Sequence, residues 1–219
     1  MVINPNGRHR TLRIAYFGGS FDPPHYGHAA LAQAIIENHW ADKVEFVVAY
    51  SQPFKQDRKT ASFEDRLAMT ALLVREIPKA EASDFERALG LSPSYTCEVL
   101  AEYRKCHPGD QVILLIGEDS LQDLHKWHRA EELVESTEFL IYPRKGYPVD
   151  ETFLQQHWSA PLAAKLLKSV KPLPFLELSS TEIRNAVAKC KNTVNLIPGE
   201  VEEYIKRHHL YQKEQHTGV

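Results

Sequence analysis

The stretch from Arg13 to His28, RIAYFGGSFDPPHYGH, constrains this chain more than any other. Its apolar run, Ile14-Ala15-Tyr16-Phe17, has the length and aromatic content of a buried strand. Gly18-Gly19 ends the run with backbone that can turn sharply and approach a bulky group closely. Pro23 and Pro24 then fix φ ahead of a segment predicted to be helical from Tyr26. A strand, a glycine turn and a helix N-terminus together present free backbone N–H groups and the positive end of a helix dipole, which suits a phosphate. His25 and His28, three residues apart, share one helix face, so both imidazoles can point where that anion would sit. The string has neither the GxGxxG dinucleotide fingerprint nor the Lys-Ser/Thr ending of a Walker A loop, which argues against a P-loop NTPase. An ordinary strand-to-helix turn with two surface histidines is the plain alternative for this stretch on its own.

The remainder alternates strand and helix, the pattern of an α/β fold with a doubly wound, mainly parallel sheet, and 219 residues suffice for one such domain. A helix is expected from Tyr26 to about His39 and strands over Val44–Ala49, Gln111–Ile116 and Phe139–Tyr142, with a short one over Ala82–Phe85. Ser62, three residues before Asp65, reads as an N-cap, and Ser92-Pro93-Ser94-Tyr95-Thr96 opens a helix reaching about Cys106. Helical stretches follow around Leu121, Leu124 and Trp127 and over Ala130–Val134. From Gly146 to Pro174 the prolines point to an excursion outside the main sheet with one helical piece near Leu162–Leu167. Phe175–Leu178 reads as a returning strand, and Gly199–His208 as a last amphipathic helix. The domain is expected over 12–210, with a disordered tail over 1–11 and a loose one over 211–219.

Composition bounds the partners. Lys and Arg number 26 against 29 Asp and Glu, a formal net charge of −3. With no basic stripe, a nucleic-acid partner is not expected, and anion binding must be local. No apolar run approaches the ~20 residues of a bilayer span, so no membrane partner is expected, and Met1–Thr11 lacks the apolar core of a signal peptide. Cys97, Cys106 and Cys190 show no CxxC spacing, which fits a reducing compartment and a cytoplasmic location. A homo-oligomer stays open. His125 and His128 form an HxxH pair, but without cysteines or HExxH they read as a solvated helix face rather than zinc ligands.

A second anion site is offered by Leu178-Ser179-Ser180-Thr181-Glu182-Ile183-Arg184. Ser179 and Glu182 have capping-box spacing, and two hydroxyls at a helix N-terminus with an arginine one turn later suit several phosphate oxygens. GSFDPPHYGH resembles the (H/T)xGH signature of the nucleotidyltransferase superfamily, and LSSTEIR resembles the SSTxI/VR motif paired with it there. Within that superfamily the chain is most similar to the nicotinate-nucleotide adenylyltransferases. The features that carry this are Ser94-Tyr95-Thr96, Gly117-x-Asp119-Ser120 with a tryptophan shortly after, and the tail from Ile197-Pro198 to Tyr204-Ile205. The likeness runs from Arg13 to about Leu210. Two departures stand out: Gln52-Pro53-Phe54-Lys55 replaces the family's Pro-Pro-His-Lys, and Gly117-Glu118-Asp119 replaces Gly-Ala/Thr-Asp.

The resemblance implies a Rossmann-like nucleotidyltransferase fold and a reaction of ATP with nicotinate mononucleotide that yields deamido-NAD and pyrophosphate in line, without a covalent enzyme intermediate. A phosphate monoester with a second pKa of about 6 needs no base near neutrality, so positioning and charge stabilisation should dominate. By the same likeness His25 and His28 are the catalytic pair. Gly18, Gly19, Ser20, Phe21, Lys55, Asp119, Ser180, Thr181 and Arg184 would bind ATP, with Asp119 on its ribose hydroxyls. Trp127 would stack on the pyridine ring, bordered by Tyr95 and Thr96. Mg²⁺ would bridge phosphate oxygens with no dedicated protein cage. The rivals are a related transferase acting on nicotinamide mononucleotide or phosphopantetheine, and a non-catalytic nucleotide-binding module.

Overall fold

A computed structural model describes residues 11–50, 60–173 and 178–212. Five strands, β1 (Arg13–Gly19), β2 (Lys43–Val48), β3 (Ala80–Ser83), β4 (Gln111–Gly117) and β5 (Glu138–Tyr142), pair in parallel in the order β3-β2-β1-β4-β5. β1, β2 and β4 are near-continuous apolar runs because helices cover both faces of the sheet. Ile14, Tyr16, Val112, Leu114, Ile116, Phe139 and Ile141 fill one core. Their alternates Ala15, Phe17, Ile113, Leu115 and Leu140 join Phe46 and Val48 in the other. This is the period-two alternation of a pleated strand buried twice. One polar group interrupts it: Glu45 is buried in β2, where the Tyr103 hydroxyl donates to its carboxylate at 2.6 Å and Lys43 stands at 3.2 Å.

The first core is packed by α4 (Thr96–Cys106), α5 (Glu118–Asp123), α6 (Ala130–Ser136), α7 (Glu151–His157) and α8 (Ala160–Ser169), the second by α1 (Tyr26–Glu37) and α2 (Phe63–Val74). A third cluster joins Met69 of α2 to Ile183 of α9 (Ser180–Ala188), to Ile197, and to Val201 and Ile205 of α10 (Gly199–Arg207). It folds the end of the chain back over α2 and towards the loop after β1.

Several expectations are corrected. The third strand ends at Ser83, because Phe85 opens α3 (Phe85–Leu89), which Gly90 terminates in the left-handed conformation at φ 65°. The segment after Gly146 adds no strand to the main sheet, as expected, but it packs closely on it: Leu154, Trp158, Ala163 and Leu166 belong to the first core, Val170 makes an isolated parallel bridge with Ile141, and Lys171 donates to the Ile141 carbonyl at 2.9 Å. α1 stops at Glu37, two residues short of His39, whose φ of 55° is outside the helix. Tyr211, expected in a loose tail, is half-buried and donates to Asp22 at 2.7 Å. The strand expected over 175–178 lies outside the described residues save for Leu178, which is not in a strand.

Candidate active site

Strand order reverses between β1 and β4, and in open α/β sheets ligands bind in the crevice outside the carboxyl ends of the strands at such a point. A cleft of about 360 Å³ opens there. Its walls are the loop Gly18–Asp22, the start of α1 with His25, Gly27 and His28, Asp119 after β4, Tyr142–Arg144 at the end of β5, and Leu178–Thr181 with Arg184. Ten of the residues read from the sequence therefore meet: Gly18, Gly19, Ser20, Phe21, His25, His28, Asp119, Ser180, Thr181 and Arg184.

The two distant motifs are bonded to each other. The Arg184 guanidinium donates through Nη1 to the Asp22 carbonyl at 2.6 Å and through Nη2 to the Thr181 hydroxyl at 3.2 Å. Ser180 donates to the Pro23 carbonyl at 2.8 Å. Arg66, buried in α2, donates to the Ser20 and Ala49 carbonyls at 2.9 Å each, which ties the loop after β1 to the chain leaving β2. Ser179 accepts from the Glu182 N–H at 3.2 Å, so α9 starts where the capping spacing put it.

The two imidazoles are stacked, centroids 3.7 Å apart at 22°, and Gly27 between them makes room. A Cβ there would stand 2.9 Å from the His25 Nδ1. His28 Nδ1 accepts from the His25 backbone N–H at 3.2 Å, which puts the proton of a neutral His28 ring on Nε2. Burial, with the positive charge of Arg144 second, lowers the His25 pKa to about 4. Burial, then His25, then Arg144 depress His28 in the same direction. Near neutrality both rings are uncharged N–H donors rather than imidazolium ions.

Arg144 and Asp22 are functional candidates that the sequence reading did not assign. Arg144 Nε stands 3.4 Å from Asp119 Oδ2. Its position at the carboxyl end of a strand, one strand over from Asp119, was the available signal. The extra carboxylate, Glu118, does not crowd the phosphate region. It is buried and accepts from the Arg144 backbone N–H at 3.0 Å, locking the end of β5 to the start of α5. Burial, with Asp119 second, pushes the Tyr142 phenol up to about 12.

Tyr95, Thr96 and Trp127 are not among the residues lining the cleft. Tyr95 stacks on His128 at 4.3 Å, Thr96 is the first residue of α4, and Trp127 packs half-buried against the first core. His125 stacks instead on His157 at 3.8 Å, so the two HxxH rings engage different partners. Lys55 lies outside the described residues. Among the described residues no group of three or more His, Cys, Asp or Glu could hold a metal, and no helix is long and apolar enough to cross a membrane.

A switch-point cleft built from neutral imidazoles, guanidinium groups and a helix N-terminus serves nucleotide transfer, and the cytidylyltransferase-like family model matches residues 16–186, which makes the chain a nucleotidyltransferase of that family. It is 34% identical over 202 residues to the probable nicotinate-nucleotide adenylyltransferase of Bacillus pumilus, covering 91% of this chain and 98% of that one. The corresponding probable enzyme of Thermus thermophilus is 37% identical over 203 residues, covering 92% and 100%. The chain belongs to the nicotinate-nucleotide adenylyltransferase family. In fold it is similar to Plasmodium falciparum nicotinic acid mononucleotide adenylyltransferase complexed with NaAD, with a TM-score of 0.72 at 22% identity over 91% of this chain and 97% of that one.

Proposed function

We propose that this enzyme joins ATP and nicotinate mononucleotide into deamido-NAD, releasing pyrophosphate. A 5′-phosphate oxygen of the mononucleotide attacks the α-phosphorus of ATP in line. The new O–P bond forms as the bond to the β-phosphate oxygen breaks, and the electron pair leaves on pyrophosphate. The observation that best supports this is the direct bonding of the two phosphate motifs, Arg184 to Asp22 and Ser180 to Pro23, around one cleft.

The groups divide as follows in this reading. The Nε2–H of His28 and the ring of His25 donate to phosphate oxygens where charge grows in the transition state. Ser180, Thr181 and Arg184 grip the β and γ phosphates, joined by Arg144, and Lys55, outside the described residues, is assigned to the same phosphates on the sequence motif alone. The backbone from Gly18 to Phe21 lines the nucleotide, and Asp119 accepts from ribose hydroxyls. Uncharged donors in a preorganised site suit this work, since one such donor is typically worth ~10²–10³ in turnover. The cleft carboxylates Asp22 and Asp119 each face an arginine, a donor set that fits Mg²⁺ held through phosphate oxygens rather than by protein ligands. When bound, Mg²⁺ offsets the triphosphate charge. Tyr95, Thr96 and Trp127, which do not line the cleft, are assigned to the acceptor on the family likeness; the stacking of Tyr95 on His128 brings the start of α4 next to the residue that follows Trp127. The three cysteines are free, in keeping with the cytoplasm.

A pyrophosphate-release assay over a panel of acceptors tests the reading. Turnover should be highest with nicotinate mononucleotide, and His28→Ala should lower it by ~10²–10³-fold. Equal use of nicotinamide mononucleotide, or preference for phosphopantetheine, would overturn the acceptor; ATP binding without pyrophosphate release for any acceptor would overturn catalysis.

A further inference from the structure

Asp22 is 3% exposed, and each side of its carboxylate has different company. Oδ1 accepts from the Tyr211 hydroxyl at 2.7 Å and from the Ala61 N–H at 3.1 Å. Oδ2 faces Arg184 Nη1 at 3.6 Å, a longer approach than that nitrogen makes to the Asp22 carbonyl. The neutral donors thus satisfy one carboxylate oxygen, while the other, among the described residues, makes only the longer ion pair with Arg184. Tyr211 is held in place: Leu210 N–H donates to the Ile205 carbonyl at 3.0 Å, closing the end of α10, and Leu210 and Tyr211 pack on the third cluster. Burial, with the negative charge of Asp22 second, raises the phenol pKa, so the hydroxyl stays protonated and can only serve Asp22 as a donor.

We propose that Tyr211 is a positioning residue for ATP. By holding Asp22 through Oδ1 it keeps the Arg184 guanidinium from closing on that carboxylate, which leaves the N–H groups not used by the Asp22 carbonyl and Thr181 for phosphate. Without the hydroxyl, a buried carboxylate missing its shortest hydrogen bond turns to the nearest cation, and the tightened Asp22–Arg184 pair competes with the triphosphate. The proposal rests on the reading that Arg184 binds ATP, and it extends the working site beyond residue 186, where the family match ends.

Steady-state kinetics on the full chain, with ATP and the acceptor varied in turn, compare wild type, Tyr211→Phe, Arg184→Ala and the double variant. Tyr211→Phe removes one oxygen atom from a packed ring and should raise the KM for ATP about three- to tenfold, the scale of one hydrogen bond, with the KM for the acceptor unchanged within about twofold. In the Arg184→Ala background the same change should add nothing. Equal rises in both KM values, a fall in kcat alone, or effects that multiply in the double variant would overturn the proposal. Arg184→Ala with an unaltered KM for ATP would overturn the reading of Arg184 itself. That outcome is distinct from one in which Arg184→Ala weakens ATP and Tyr211→Phe does not, which leaves the reading of Arg184 standing and defeats only the role of Tyr211.

Discussion

Gly27→Ala should separate activity from stability at this site. The added methyl carbon would stand 2.9 Å from Nδ1 and 3.0 Å from Cε1 of His25, nearer than carbon approaches a ring atom without displacement. The ring cannot yield freely, because it is 5% exposed and stacked on His28 with centroids 3.7 Å apart. Gly27 lies in α1, where alanine gains ~1 kcal/mol of helix propensity over glycine, while overpacking of a filled site costs ~1–3 kcal/mol. The difference is a destabilisation of at most ~2 kcal/mol, so thermal unfolding should fall by no more than about 4–8 °C at ~2–4 °C per kcal/mol for a domain of this size. Displacing the imidazole pair acts on the reaction directly, and misplacement by ~1 Å can cost ~10²-fold. The assay is pyrophosphate release at saturating ATP beside a melting curve. Turnover should fall about a hundredfold in protein that remains folded, and Gly27→Ala should cost nothing further once His25→Ala has removed the ring. Wild-type turnover in Gly27→Ala, or a loss that merely tracks the unfolded fraction, would refute the reasoning.

Three further outcomes are expected. Since the folded chain holds His25 at about 4 against 6.5 when unfolded, the unfolded state binds more protons in that window, and stability should fall as pH drops from 6.5 towards 4. At 1.36 kcal/mol per pH unit His25 contributes ~3 kcal/mol of that fall, and urea unfolding of His25→Gln should show a shallower slope; an identical slope would count against the assignment. Glu118→Ala strands the Arg144 N–H and should cost ~1–3 kcal/mol in urea unfolding, whereas Glu118→Gln keeps an acceptor and should recover most of it. Tyr103→Phe withdraws the 2.6 Å hydrogen bond to buried Glu45 and should cost ~1.5–3 kcal/mol, with turnover unchanged, since the pair lies in the sheet interior away from the cleft lining.

What could be read beforehand follows the range over which each signal acts. β1 and β4 are continuous apolar runs bounded by glycine, so their burial is written locally. β3 is Ala-Glu-Ala-Ser and has no such run; it is a strand because β2 lies beside it, Val44 against Ala80 through Val47 against Ser83. α7 escaped notice because it is short and buries only Leu154 among seven residues. The phosphate motifs at His25–His28 and Ser180–Arg184 are likewise local, a strand end or a cap followed by one helical turn. Arg66 is the opposite case. On the buried face of α2 between Phe63 and Met69 it breaks the apolar period, and its purpose emerges only with the carbonyls of Ser20 and Ala49 it serves. Arg144 beside Asp119 and Tyr211 beside Asp22 are tertiary pairings that no window of sequence contains.

Arg184 meets Asp22 across 162 residues, and Tyr211 meets it across 189. A growing polypeptide can complete β1 and its glycine turn early, yet that half has nothing to close against until Arg184, 162 residues beyond Asp22, has been made. Loop closure on this scale is slow compared with forming any single helix. Competence to hold a triphosphate therefore waits on α9, and a fragment ending before that helix would carry every imidazole of the signature and still have no second jaw.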